Sequence, residues 1–207
     1  MPGRFSLGQR GQTPPPDLIT ATQVHGATVL FVDGDPPRLS GPDGDAILTA
    51  RPDTCVGVRT ADCLPILLHT LDYSVVGAVH AGWRGTMAGM GPAAVAAFSD
   101  RFGIAPSDLS ATLGPAIGPC CYEVGDDVTG AVAGHHPEWM TRVLNPGPKG
   151  RPHLDLPELN RLQLLEAGVE QVGAAGDCSC CNPERYESYR RDGERSGRMV
   201  SWIRSAS

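Results

Sequence analysis

Short, nearly continuous apolar runs dominate the first half of the chain. Four such runs, at residues 46–48, 55–59, 64–69 and 74–80, predict β-strands. They do not alternate cleanly between apolar and polar positions, which is typical of strands buried on both faces. We therefore expect helices to cover the sheet that these strands form.

Weaker strand patterns lie on either side of these runs. β-Branched residues flank the turn-competent pair His25-Gly26 and predict two strands that are joined through it. A further strand enters a Gly-Pro loop, and two more are expected near the end of the chain. The predicted ranges are 19–23, 28–32, 109–113, 169–174 and 199–203.

Helix signals occur in three places. Residues 86–102 predict the first helix, and the glycines and proline in its first turns indicate a kink or a late start. A shorter helix is expected over residues 126–133. The third begins at Asp155, where Glu158 three residues later completes a capping box, and it ends at Gly168.

The spacing of these elements mixes hairpin-like and crossover-like connections. It predicts an α+β fold, a single layered domain with a mixed β-sheet covered by helices. The length of 207 residues fits one domain with a sizeable core. Residues 1–17 predict a disordered tail, residues 34–45 predict a surface loop, and the folded domain is expected to span 18–207.

Composition narrows the class of protein. The net charge of -6 and the pI near 5.4 disfavour a nucleic-acid partner. No apolar stretch reaches the ~20 residues that span a bilayer, and the N-terminus lacks a secretory signal, so we expect a cytoplasmic protein without a membrane partner. The seven cysteines are expected to be reduced thiols or metal ligands. The sequence does not fix the oligomeric state, and a monomer is the expectation.

Three segments place a metal-binding side chain at a strand end or a tight turn. These side chains are His25, Cys63 and His80. Each alone is more often a core residue, but all three stand beside glycines or turn residues, where side chains can converge at one sheet edge. Two imidazoles and one thiolate suit Zn²⁺ with its fourth position open, as in catalytic sites.

The same segments occur in one known protein family, in the same order over about residues 18–204. The run His80-Ala-Gly-Trp-Arg-Gly is highly specific. With these motifs the sequence resembles the laccase-domain family, also described as polyphenol-oxidase-like and as multifunctional purine nucleoside enzymes. The matching segments are 22–26, 60–65, 78–85, 114–118, 188–193 and 197–199.

The resemblance implies both a metal site and a set of activities. The zinc site falls on His25, Cys63 and His80, and Cu²⁺ is a potential substitute because it binds such ligands more tightly. The implied activities are phosphorolysis of adenosine, inosine and methylthioadenosine, acting as a purine nucleoside phosphorylase, and deamination of adenosine. The implied partners are purine nucleosides and phosphate.

Four further residues are candidates for this chemistry. Arg59 and Arg84 are candidates for binding phosphate, which a guanidinium holds bidentately. Asp62, next to Cys63, is a candidate hydrogen-bond partner of a ligating His or a general acid or base. Glu123 is a weaker acid or base candidate on a loop that borders the pocket. The alternatives are packing or surface roles for the arginines and turn formation for Asp62.

Members of the family usually carry a further N-terminal segment with a Ser-Leu-Asn motif and an acidic loop. Here residues 5–8 resemble only a remnant of it. We therefore expect substrate contacts from that segment to be missing.

Other interpretations of the same residues stay open. Cys63 as nucleophile and His80 as base would give a metal-independent cysteine hydrolase, for example one that edits peptidoglycan precursors. Copper-dependent polyphenol oxidation is expected only as a side activity, because the six histidines include no His-x-His pair. A non-enzymatic binding module with a decayed site is the third alternative.

A cluster of thiols at Cys178, Cys180 and Cys181 also stands out. It resembles part of a zinc ribbon, but a ribbon needs two separated Cys-x-x-Cys pairs, which this chain lacks. A structural thiol cluster or a secondary metal site is the remaining interpretation.

Overall fold

The computed structural model describes residues 4–32, 42–175 and 177–207. Its strands there are β1 (Phe5–Ser6), β2 (Val29–Phe31), β3 (Ala46–Thr49), β4 (Cys55–Thr60), β5 (Leu64–Thr70), β6 (Val76–Ala81), β7 (Leu109–Leu113), β8 (Leu144–Pro146), β9 (Pro152–Leu154), β10 (Gln171–Ala174) and β11 (Met199–Arg204). The α-helices are α1 (Trp83–Met87), α2 (Met90–Phe102), α3 (Asp126–His135), α4 (Met140–Val143), α5 (Leu156–Glu166) and α6 (Tyr189–Asp192).

The main sheet has the strand order β10-β7-β5-β6-β3-β2 within the described ranges. Its four central strands are antiparallel, while β10 and β2 add in parallel at the two edges. The predicted α+β fold with a mixed β-sheet is therefore confirmed.

Helices cover one face of this sheet. Ile66 and Leu68 of β5 are fully buried there, in a cluster with Phe98 of α2 and Leu159 of α5. Alternate residues of a strand point to opposite faces, so Leu67 between them must be buried by something else.

A second, smaller sheet covers the other face. It has the order β1-β11-β4, and Leu67 packs there with Val56 of β4 and Ile203 of β11. Burial of β5 on both faces is as predicted, but the cover on this side is a sheet and not helices. Both sheets together hold the turn between β4 and β5, which carries Cys63, in a fixed place.

Several elements differ from the sequence prediction. Residues 19–23 make only isolated bridges, such as Ile19 with Val56, and no regular strand. Phe5 and Ser6, in the segment predicted to be a disordered tail, pair with β11. The β8–β9 hairpin was not predicted, because prolines at Pro146 and Pro152 mask a strand pattern. Of the predicted loop at 34–45, residues 34–41 lie outside the described residues.

The helix signals are largely confirmed. Gly89 adopts a left-handed φ of 77° and divides the predicted 86–102 helix into α1 and α2, as the weak first turns indicated. Asp155 caps α5 by accepting a hydrogen bond from the Glu158 N–H at 2.9 Å. None of the helices in the described ranges is long and apolar enough to cross a membrane.

Candidate active site

Three separate parts of the fold bring His25, Cys63 and His80 together. His25 lies on the loop before β2 with a left-handed φ of 61°. Cys63 lies in the turn between β4 and β5, directly before β5 begins. His80 is a residue of β6 and stands opposite Pro65 of β5 in the sheet register. Sheet pairing therefore places Cys63 and His80 at the same edge.

One ligand atom from each of the three residues lies within 4.8 Å of the other two. The Cys63 Sγ is 3.9 Å from the His25 Nε2, and the two imidazole rings meet edge to face at 4.8 Å between centroids. Around a tetrahedral Zn²⁺ a sulfur and a nitrogen ligand would be about 3.6 Å apart. The sequence prediction that these three side chains converge is met, and small side-chain shifts would fit them to a zinc ion.

A buried carboxylate that the sequence analysis missed holds both histidines. Asp45 Oδ1 accepts a hydrogen bond from His80 Nδ1 at 2.8 Å, and the Asp45 side chain is fully buried. The same carboxylate accepts backbone hydrogen bonds from His25 at 3.0 Å and Gly26 at 2.7 Å. Asp62 was a candidate hydrogen-bond partner of a ligating histidine, but in the structure Asp45 is the carboxylate that bonds to His80.

Hydrogen bonds around the cluster favour its charged forms. Burial disfavours the Cys63 thiolate, but hydrogen bonds with His25 and His80 outweigh burial and lower the pKa of the thiol to about 7. Burial likewise disfavours a charged His80, yet hydrogen bonds with Asp45 and Cys63 raise its pKa to about 9. Burial also opposes ionisation of Asp45, but its hydrogen bonds with His80, Gly26 and His25 keep the pKa of its carboxyl low.

Gly82 provides the space in which the three side chains meet. A Cβ atom at this position would lie 2.9 Å from the Cys63 Sγ and 3.2 Å from the His25 Cδ2. Its φ of -75° is open to any residue, so the need for glycine here is steric. The backbone directly before α1 therefore lies close to the side chains of Cys63 and His25.

The cluster opens into a cavity of about 830 Å³. This volume lies within the range of about 300–1,000 Å³ found for small-molecule sites. Trp83 and Tyr122 line it with aromatic surface, beside Ile117 and Leu156. Such a mixture of apolar walls and a polar cluster can hold a small heterocyclic ligand.

Four exposed arginines also line the cavity: Arg59, Arg84, Arg190 and Arg198. The two arginines that sequence reasoning selected, Arg59 and Arg84, are both among them. Among the described residues none of the four forms an ion pair with a carboxylate. Arg190 and Arg198, which were not selected from the sequence as residues of the site, line the cavity as well and belong to the closing motif of the chain. The cavity therefore presents positive charge next to the His/Cys cluster.

Asp62 lines the cavity but both its oxygens already accept hydrogen bonds. The Ser179 hydroxyl donates to Oδ1 at 2.6 Å, and the Arg190 N–H donates to Oδ2 at 2.6 Å. Its backbone adopts a left-handed φ of 84° in the turn before Cys63. These contacts tie the Cys63 turn to the C-terminal part of the chain.

Glu123 lies outside the cavity lining. Its carboxylate pairs with Arg151 at 2.6 Å, and this ion pair lowers the pKa of the Glu123 carboxyl. The neighbouring Tyr122 faces the cavity instead, with the Arg190 guanidinium 5.3 Å from its ring centroid. The loop therefore borders the pocket as predicted, through a different side chain.

Comparisons with known proteins find related sequences over most of the chain. The sequence model of the family described as multi-copper polyphenol oxidoreductase laccase matches residues 4–206. The chain is 38% identical over 189 residues to purine nucleoside phosphorylase YfiH of Shigella flexneri, covering 91% of this chain and 74% of that protein. It is 39% identical over 181 residues to purine nucleoside phosphorylase PA4543 of Pseudomonas aeruginosa, covering 87% and 71%.

Solved structures show the same fold. The crystal structure of the Bacillus licheniformis hypothetical protein YfiH superposes with a TM-score of 0.85 at 31% identity, covering 92% of this chain and 74% of that chain. YlmD from Geobacillus stearothermophilus gives a TM-score of 0.82 at 32% identity, covering 92% and 74%. By sequence, with the fold in agreement, this chain belongs to the multi-copper polyphenol oxidoreductase laccase family.

Proposed function

We propose that this chain is a zinc-dependent purine nucleoside phosphorylase that also deaminates adenosine. Its substrates are adenosine, inosine and methylthioadenosine, with phosphate as the second substrate. The relatives named purine nucleoside phosphorylase support the phosphorolytic activity. The observation that carries the proposal is one cavity in which the His25, Cys63 and His80 cluster lies beside several arginines that have no carboxylate partner in the described part of the chain.

The arginines of the cavity serve as the phosphate site. A guanidinium can donate two parallel hydrogen bonds to a phosphate, and Arg59 is free to do so because its side chain is exposed at the cavity. In phosphorolysis a phosphate oxygen forms a bond to C1′ of the ribose while the C1′–N bond to the base breaks. The base leaves with that electron pair and takes up a proton. Arg59 and Arg198 would orient phosphate for this displacement.

The cluster supplies the polarising group. Zn²⁺ held by His25, Cys63 and His80 would act as a Lewis acid and activate water, which is the chemistry that replacing an amino group by oxygen requires. Asp45 accepts a hydrogen bond from His80 Nδ1, which leaves Nε2 as the ring nitrogen that can bind the ion. Trp83 and Tyr122 offer aromatic surface to the purine ring.

Asp62 acts in this proposal as a positioning residue. Because Ser179 and Arg190 occupy both of its oxygens, it fixes the Cys63 turn against the segment that carries Arg190. It lies next to Cys63 without having to exchange a proton with the substrate.

The test is direct incubation of purified, zinc-replete protein with adenosine. With phosphate we expect adenine and ribose 1-phosphate, and inosine as the deamination product, separated by liquid chromatography. The His80→Ala variant should lose both activities, while His135→Ala should keep them because His135 is exposed at the end of α3. Unchanged adenosine after long incubation of the zinc-replete protein would refute the assignment.

One observation favours a second candidate function. Asp45, His80 and Cys63 are arranged as orienting carboxylate, base and nucleophile, which is the order of a cysteine hydrolase. The hydrolase requires no metal, so a thiol-directed reagent should label Cys63 equally fast with or without a chelator. Protection of Cys63 by zinc supports the phosphorylase instead.

A further inference from the structure

Four cysteines converge in a second cluster, distinct from His25, Cys63 and His80. Cys120 and Cys121 follow the Gly-Pro loop after β7, whereas Cys178 and Cys181 lie some 60 residues later, between β10 and α6. Their four sulfur atoms all lie within 4.8 Å of one another. The two clusters share no residue, so this one is not explained by the proposed reaction.

The spacing of these sulfurs matches a shared cation. The Cys181 Sγ lies 3.4 Å from that of Cys120 and 3.3 Å from that of Cys121. Sulfurs around a tetrahedral Zn²⁺, each about 2.3 Å from the metal, are about 3.8 Å apart, whereas a disulfide joins them at about 2.05 Å. Cys181 is nearly equidistant from two candidate partners, which favours a common centre over one covalent pair.

The backbone around the sulfurs is fixed before any ion binds. The Gly118 N–H donates to the Cys178 Sγ at 3.2 Å, and a Cβ at Gly118 would come within 3.3 Å of Cys178 and 3.5 Å of the Cys120 sulfur. Ala116 bridges to Cys178 in parallel and accepts a hydrogen bond from the Ser179 N–H at 2.9 Å. The two cysteine-bearing segments are therefore held side by side by main-chain contacts.

Charge and access also suit a metal ion. Binding of one dication releases the four thiol protons and leaves a net charge of -2 on the set. The Arg191 guanidinium, which also pairs with Asp192 at 2.7 Å, donates to the carbonyls of Ser179 at 3.1 Å and Cys180 at 3.2 Å and so holds the chain next to these cysteines. Cys120 and Cys181 are exposed, which gives the ion a path from solvent.

We propose that Cys120, Cys121, Cys178 and Cys181 form a structural zinc site, separate from the His/Cys cluster. Four sulfur ligands close the coordination shell, so this ion stabilises the fold and takes no part in the reaction. It joins the loop of Tyr122 to the segment whose Ser179 anchors Asp62.

Metal stoichiometry tests the site independently of the proposed function. The wild type and the variants are reloaded with zinc and freed of loosely bound metal before zinc is measured. The double variant, in which Ser replaces both Cys178 and Cys181, is expected to hold one zinc equivalent per chain less than the wild type. Cys180→Ser is the matched control, because Cys180 lies between the ligands but is not one of the four; it should keep the full complement. An unchanged zinc content in the double variant overturns the proposal.

The same measurement of zinc content distinguishes the ion of the proposed active site from the ion of the four-cysteine site. His80→Ala should remove a different equivalent and leave the four-thiolate site filled. If only His80→Ala changes the zinc content, the cysteine site is wrong; if only the double cysteine variant does, the metal of the proposed function is wrong.

Two measurements on the unsubstituted chain keep the proposal testable if the double variant does not fold. Replacing zinc by Co²⁺ in the wild-type protein should give sulfur-to-metal charge-transfer absorption several times more intense than the single thiolate of Cys63 can supply; absorption no stronger than that of one thiolate contradicts the site. Zinc should protect Cys120, Cys121, Cys178 and Cys181 from a thiol reagent under native conditions, and a chelator should expose them. A disulfide from Cys181 to Cys120 or Cys121 in the unreduced protein, or labelling that zinc does not slow, contradicts the site.

Discussion

Replacing Gly82 by Ala adds one methyl group to the centre of the candidate active site. That Cβ would stand 2.9 Å from the Cys63 Sγ, whereas ordinary contacts begin at about 3.4 Å. The sulfur would have to move by about 0.5 Å, and metal–ligand distances tolerate only about 0.2 Å. Because the φ of Gly82 is -75°, the backbone itself accepts alanine. The substitution should therefore damage the metal site more than the fold.

The size of the effect follows from the strain. Overpacking of this kind destabilises a site by about 1–3 kcal/mol, which corresponds to a roughly 5- to 150-fold weaker affinity. The assay adds zinc to metal-stripped protein and measures adenosine conversion. We expect the zinc concentration that gives half-maximal conversion to be higher for Gly82→Ala than for the wild type by about this factor. This readout reports the catalytic ion alone, since the four-cysteine site takes no part in the reaction.

Gly26 provides the matched control beside the same cluster. A Cβ there would lie 3.7 Å from Asp45 Oδ2 and 3.8 Å from Val24 Cγ2, which are ordinary contacts. Gly26→Ala should therefore need the same zinc concentration as the wild type. The steric reasoning is refuted if Gly82→Ala responds to zinc like the wild type, or if Gly26→Ala is damaged equally. Thermal unfolding of both variants identifies a general loss of folding.

Three further changes probe separate parts of the account. Arg59→Gln should raise the KM for phosphate about 10- to 100-fold, as loss of a charged hydrogen bond does, and leave deamination unchanged because that reaction uses no phosphate; equal losses in both reactions would contradict the assignment. Asp45→Asn should weaken zinc binding about 10- to 100-fold, measured by chelator competition, because the amide is a poorer partner for His80 than the carboxylate; unaltered affinity would rule out that role. Hydrogen bonds from the Ser74 N–H and Thr70 lower the pKa of Asp72 to about 2. The ionised Asp72 carboxylate therefore stabilises the folded state above pH ~4, and this contribution is lost as the pH falls through 2. The stability difference between wild type and Asp72→Asn in urea unfolding should accordingly shrink between about pH 5 and pH 2, and a constant difference would contradict it.

The three residues of the His/Cys cluster could be selected from the sequence because each of them carries a local signal. His25 and Cys63 stand in turns beside predicted strands, and His80 ends an apolar run. The strands β5 and β6 were predicted nearly to their observed bounds, so the edge where Cys63 and His80 meet could be inferred.

Asp45 was beyond such reasoning. It closes a segment rich in Gly, Pro and Asp, and only the folded chain brings it to His80, 35 residues later. One signal was available: a carboxylate directly before the buried strand β3 requires a partner.

The four-cysteine cluster shows the same limit. A zinc ribbon is recognised in a sequence by two Cys-x-x-Cys pairs, but here the adjacent Cys120 and Cys121 meet Cys178 and Cys181 across about 60 residues. The main-chain contact between Ala116 and Cys178 brings the two cysteine pairs together. This contact cannot be predicted from any periodicity along the chain. The second sheet was not predicted for a related reason. An apolar run indicates that a strand is buried on both faces, but it does not indicate whether helices or another sheet bury it.

The central claim is that His25, Cys63 and His80 share one catalytic ion. The most direct measurement is zinc content per chain in wild type and His80→Ala, expressed without added copper, together with adenosine conversion by the same samples. The account predicts that His80→Ala loses one zinc equivalent and all conversion. A His80→Ala protein that keeps its full zinc content, or that still converts adenosine at the wild-type rate, would contradict it.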